Sequence, residues 1–95
     1  MQFLTITRLD TGSFDPEKHA AILQEERHLA RSLYMAGIIR QIWYRGDTGG
    51  ACIIFESDSE EEVRKILASL PLAKANLLDI AEFIPIKPYA GFGPN

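Results

Sequence analysis

Hydrophobic positions along the chain switch between a period of two and a period of about 3.6, and each switch marks an element. Residues 1–8 set Leu4 and Ile6 against Thr5 and Thr7, which predicts a strand. Residues 10–13 are rich in turn formers. Asp15-Pro16 predicts a helix start, because Asp caps free N–H groups and Pro is tolerated at the first helical position. That helix is expected over 16–36, with Gly37 as its stop. Residues 38–45 and 51–56 read as strands joined through the tight turn 46–50, a hairpin. Ser59 and Glu62 form a capping box ahead of Val63, Ile66, Leu67 and Leu70, the apolar face of a second helix that Pro71 ends. Residues 78–86 predict a fourth strand, and Pro85 and Pro88 suit an edge or the end of pairing.

The order β-α-β-β-α-β predicts an α+β fold. It is a ferredoxin-like plait, with a four-stranded antiparallel sheet, both helices on one face, and a single domain over 1–95. The second sheet face would be bare and partly apolar, which predicts pairing with another copy as a homodimer. The tail 87–95 is too short to fold alone, but Tyr89 and Phe92 suit docking on a partner subunit.

Glu26 interrupts this pattern. At about 100° per residue, Ile22, Leu23, Leu29, Ala30 and Leu33 share one face of the first helix, and Glu26 lies at its centre. Lys18, Glu25, Arg27 and Arg31 fall away from it. A carboxylate directed at a core must be paired, hydrogen-bonded or protonated. Two readings follow. Glu26 is a general base or acid with a pKa raised by burial, suited to moving a proton beside a carbonyl. Alternatively, it forms an internal ion pair with Arg40, Arg45 or His19, or the helix lies more exposed than the pattern implies.

Composition narrows the partners. Net charge is −3 and no basic block occurs, which disfavours nucleic acid and anionic membranes. No apolar run reaches the roughly 20 residues that span a bilayer. No signal peptide is evident, and the lone Cys52 cannot form an internal disulfide, so a cytoplasmic location is expected. Two histidines and one cysteine on separate elements give no metal-ligand spacing. Neither a metal nor a cofactor is expected.

His19 lies two helical turns before Glu26, about 10.5 Å along the axis, so the two can line one pocket without touching. By strict alternation Arg40, Ile42 and Tyr44 share one strand face, and Gln41, Trp43 and Arg45 share the other. Arg40 suits a bidentate grip on a substrate carboxylate, or an ion pair with Glu26 or with an acid across a dimer interface. Trp43 suits packing or a pocket wall. Asp47-Thr48-Gly49-Gly50 lacks the Lys-Ser/Thr pair of a phosphate loop and reads as a hairpin turn.

The segment Glu26-Arg27-His28-Leu29-Ala30-Arg31-Ser32-Leu33, then Gly37, Arg40 and Trp43, resembles the muconolactone isomerase family. Ile53-Ile54-Phe55 before a capped helix and Leu70-Pro71-Leu72 before the last strand fit the same pattern. The resemblance implies a ferredoxin-like chain that pairs sheet to sheet into a dimeric α+β barrel, sometimes within a larger ring. It also implies proton transfer within an unsaturated lactone carboxylate, without a cofactor. Glu26 then matches the family's proton-transferring glutamate, and Arg40 and Trp43 match strand positions after the glycine. The family's helix lysine three residues before the glutamate is Leu23 here, and the segment from Pro88 to Phe92 also departs from the pattern.

The expectation is therefore an isomerase-like enzyme of aromatic-compound catabolism that binds a small anionic, partly apolar molecule. Glu26 would be catalytic, with Arg40, Trp43 and His19 binding substrate. The alternatives are a cofactorless monooxygenase of the dimeric barrel type, or a non-catalytic ligand-binding or structural dimer with a salt-bridged Glu26.

Overall fold

The computed structural model describes residues 1–92. Strands β1 (Gln2–Leu9), β2 (Ile39–Tyr44), β3 (Ala51–Glu56) and β4 (Leu78–Ile86) form one sheet in the order β2-β3-β1-β4, every neighbour antiparallel. Helices α1 (Ala20–Met35) and α2 (Glu60–Ser69) make the two crossovers, which is the expected ferredoxin-like plait. A short helix α3 (Pro71–Lys74) follows α2. A 3₁₀ turn at Ala90–Phe92 lies in the expected docking tail, of which residues 93–95 fall outside the described residues.

The core occupies one face of the sheet. Phe3, Ile39, Ile53 and Phe55 from the strands meet Val63, Leu67 and Leu70 from the second crossover, all buried, and Leu29, Ala30 and Leu33 of α1 pack against them. Thr5 and Thr7 share this face and are buried as well. Each satisfies its hydroxyl on β3: Thr5 Oγ1 donates to the Ile53 carbonyl (3.3 Å), while Thr7 Oγ1 accepts the Ala51 N–H (2.9 Å).

Helix boundaries follow local chemistry. Asp15 Oδ1 accepts the N–H groups of Glu17 and Lys18, as expected of a cap, yet residues 16–19 form a turn and α1 begins at Ala20. His19 explains the delay: its Nδ1 turns back to accept the Asp15 N–H at 3.0 Å, and its backbone is not helical. At the other end Gly37 (φ 81°) donates to the Tyr34 carbonyl and Ile38 donates to Leu33, a Schellman closure. Ser59 caps α2 by accepting the Glu62 N–H (3.1 Å), whereas the Glu62 carboxylate takes the Ser57 hydroxyl instead of closing the box. Pro71 ends α2 by holding Leu70 extended, but it also opens α3, which the sequence pattern did not indicate.

Strand β4 is an edge, consistent with its prolines. The other edge, β2, carries a bulge between Ile39 and Gln41. Its register places Ile39, Ile42 and Tyr44 opposite Phe55, Ile53 and Ala51, and so on the helix side. Gln41 and Trp43 oppose Ile54 and Cys52 on the open side.

Candidate active site

Between α1 and the β2 edge the helix layer does not cover the sheet. No residue of α1 is fully buried. The result is a cleft of about 820 Å³, floored by Ile39, Ile42, Ile53 and Phe55 and walled by Leu23, Ala30, Leu70 and Leu72. Phe14 and Leu9 bound it at the hairpin end, along with Arg45 and Thr48–Gly50, and Tyr34 and Arg31 stand along the helix.

Glu26 borders this cleft and is half-buried. Its Oε1 accepts the backbone N–H of Leu72, the second residue of α3, at 3.0 Å. Burial raises its pKa above the ordinary 4.5, and the Leu72 hydrogen bond offsets part of that rise. The described residues provide no ion pair for it, neither Arg40, Arg45 nor His19. One carboxylate oxygen is thus anchored on rigid backbone, and Oε2 is left without a hydrogen bond from the described residues. Such a group can accept and return a proton from a fixed position.

The other expected site residues separate. Trp43 borders the cleft, but its pairing with Cys52 turns its ring to the open sheet face, and it is about half exposed. Arg40 does not border the cleft. The bulge breaks the alternation that had grouped it with Ile42 and Tyr44. It lies instead near Glu56, whose carboxyl is held below its ordinary value chiefly by the Met1 ammonium, with Arg40 adding to the effect. His19 is also outside the cleft lining. It stacks on Phe14 at 5.6 Å between ring centroids, with its Nδ1 engaged by Asp15.

Three arginines that the pattern did not assign to a site border the cleft: Arg27, Arg31 and Arg45. Arg27 and Arg31 fall away from the apolar face of α1, yet both reach the cleft because it opens on that flank of the helix. Ala30, Leu23, Tyr34, Arg27 and Arg31 fall on successive bearings from about 40° to about 140° on one side of Glu26. The cleft follows that flank of α1, while Leu29 and Leu33, on the other side of Glu26, pack against the core. No group of three or more potential metal-ligating side chains occurs among the described residues.

Comparison with known proteins gives the family and the fold. The family profile of muconolactone delta-isomerase matches residues 1–89, and the chain belongs to that family. The fold is similar to that of a muconolactone isomerase solved at 3.3 Å, with a TM-score of 0.79 and 24% identity over 95% of this chain and 92% of that one. It is also similar to 5-chloro-2-hydroxyhydroquinone dehydrochlorinase from Burkholderia phenoliruptrix AC1100, solved with 2,5-dihydroxybenzoquinone. There the TM-score is 0.71 and the identity 20%, over 96% and 97% of the two chains. No curated protein matches in sequence.

Proposed function

We propose that this chain is a cofactor-independent enzyme that moves a proton on a small unsaturated lactone or keto acid, with Glu26 as the shuttle. The observation that carries the reading is a half-buried carboxylate on the wall of a largely apolar cleft, anchored through one oxygen. The ionised Glu26 removes a proton from the carbon beside a carbonyl. The C–H electron pair delocalises into the conjugated system as an enolate. The protonated Glu26 then returns the proton at the far end of that system, so the double bond moves and no electrons leave the substrate. Family membership supports the same class.

The dehydrochlorinase likeness makes elimination the second reading, since loss of HCl can also begin with proton removal. Chloride release from a chlorinated substrate separates the two. A homodimer that pairs two open sheet faces belongs to the proposal, as does a cytoplasmic location.

Glu26→Gln is the test. Gln keeps the acceptor for Leu72 N–H but cannot take a proton. Turnover of unsaturated lactone carboxylates should fall about 10²- to 10⁴-fold while binding by calorimetry persists. Unchanged turnover would sink the proposal. In the wild type, kcat/KM should rise with pH along an acid limb whose midpoint lies above 4.5, because the base must be ionised and its pKa is raised. A limb at or below that value would contradict the role.

A further inference from the structure

We propose that Arg45 is the anion anchor of the cleft and receives the carboxylate of a small, partly apolar acid at the hairpin end. The inference deepens the proton-transfer reading and rests on it only for treating this cleft as the ligand site.

Arg45 follows β2, and its side chain is only 14% exposed. Asp47 grips it as a fork, accepting from Nε at 2.9 Å and from Nη2 at 2.8 Å. Nη1 donates to the Thr7 carbonyl at 3.2 Å, and the Arg45 backbone N–H donates to the Gly50 carbonyl at 3.0 Å. A guanidinium has five N–H donors, so two remain, one on each terminal nitrogen. The rotamer is fixed by these contacts, and the residue borders the cleft, whose lining also includes Leu9, Phe14 and Leu23. An arginine already immobilised loses little entropy when a carboxylate arrives. Arg27 and Arg31 also border the cleft, but they are exposed on α1 and have no fixed partner among the described residues. They suit attraction of an anion into the cleft better than fixing its position.

The surroundings favour an acid over a neutral ligand. Three arginines and one carboxylate border the cleft in a chain whose net charge is −3. Asp47 takes the Nε hydrogen and one Nη2 hydrogen and Thr7 one Nη1 hydrogen, so the guanidinium keeps two N–H donors for a second anion. Glycine at position 50 makes the arrangement possible. A Cβ there would fall 2.1 Å from the Thr7 oxygen, the same atom that Arg45 Nη1 engages.

The experiment titrates ¹⁵N-labelled protein with benzoate and, separately, with the neutral isostere benzamide, following arginine Nε–H resonances. Benzoate should move the Arg45 resonance saturably and leave Arg64, outside the cleft, unmoved; benzamide should move neither. Arg45→Met should weaken benzoate binding roughly tenfold or more, the worth of charge-assisted hydrogen bonds, and Arg45→Lys should recover only part. An Arg45 resonance silent to benzoate, or equal benzoate affinity in both variants and wild type, overturns the proposal. If Arg45→Met does not fold, the wild-type resonance and Arg45→Lys decide. An anchor that takes benzoate while Glu26→Gln turns over normally would leave this inference standing and remove the proton-transfer reading. A silent Arg45 with a dead Glu26→Gln would do the reverse.

Discussion

Two influences act on Glu26 in opposite directions. Burial disfavours its charged form and the Leu72 amide favours it, with burial the larger. The sign for stability follows. A carboxyl whose folded pKa is raised stabilises the fold fully below the unfolded pKa, and that contribution is lost as pH rises through the folded pKa. Above its folded pKa the ionised Glu26 is therefore a cost, and Glu26→Gln should raise Tm there. The gap should close as pH falls below 4.5, where the wild-type group is protonated in both states. Differential scanning calorimetry at several pH values checks this. Asp47 behaves oppositely, its carboxyl held down at about 2 chiefly by the hydrogen bonds from Arg45. Glu26 was legible in the sequence because a charge at the centre of an apolar stripe violates the period. Its partner was not legible, because that partner is a backbone amide on a helix one turn long whose only mark is Pro71. Arg45 was visible only as one of several cations, since its fork to Asp47 depends on the hairpin's detailed path.

Among the described residues, the two positive-φ glycines separate conformational cost from steric cost. At Gly37 (φ 81°) nothing lies within 4 Å of an added Cβ. Gly37→Ala should cost only the left-handed backbone penalty, about 1–2 kcal/mol, seen as a Tm lower by several degrees. At Gly50 (φ 127°) the Cβ would strike the Thr7 carbonyl. Gly50→Ala must displace β1 from the hairpin, so we expect a much larger loss in Tm and loss of the slow amide exchange of Ala51. Gly37 was readable as a helix stop because the apolar period ends there. Gly50 was readable as turn chemistry only, because its closest neighbour is more than 40 residues away in sequence. Strict alternation misplaced Arg40 for a related reason: the bulge after Ile39 is set by pairing with β3, and no residue type in β2 announces it.

As a whole the molecule is one sheet with helices on a single face, its other face open. Its radius of gyration is 14.3 Å, against about 12.4 Å for a compact chain of this length, and its longest extent is 53 Å. Across the open sheet face, Ile54, Leu4 and Ile84 form one cross-strand row, and Trp43, Cys52 and Ile6 form the next. Polar ends finish both rows, at Gln41 and Glu82. That aliphatic centre is what a second copy would cover in the proposed homodimer. A charge at the centre of the first row, Leu4→Asp, should shift sedimentation toward the monomer while the helix-side core, built on Phe3 and Phe55, keeps its far-ultraviolet signature. A wild-type chain that sediments as a monomer at micromolar concentration would remove the dimer from the proposal. The fold at this scale was the most legible part, since the order of periods dictates the plait. The cleft was least legible, because it arises from where α1 stops covering β2.

The bond from Leu72 to Glu26 also makes the short helix α3 a listener. An amide proton senses the charge of the oxygen it points at, so the Leu72 N–H resonance will move whenever Glu26 gains or loses its proton. It sits on the cleft wall and holds one oxygen of the Glu26 carboxylate directly. Followed in the presence of substrate, that one backbone signal would act as a resident clock, counting proton occupancy on Glu26 without a label on the substrate.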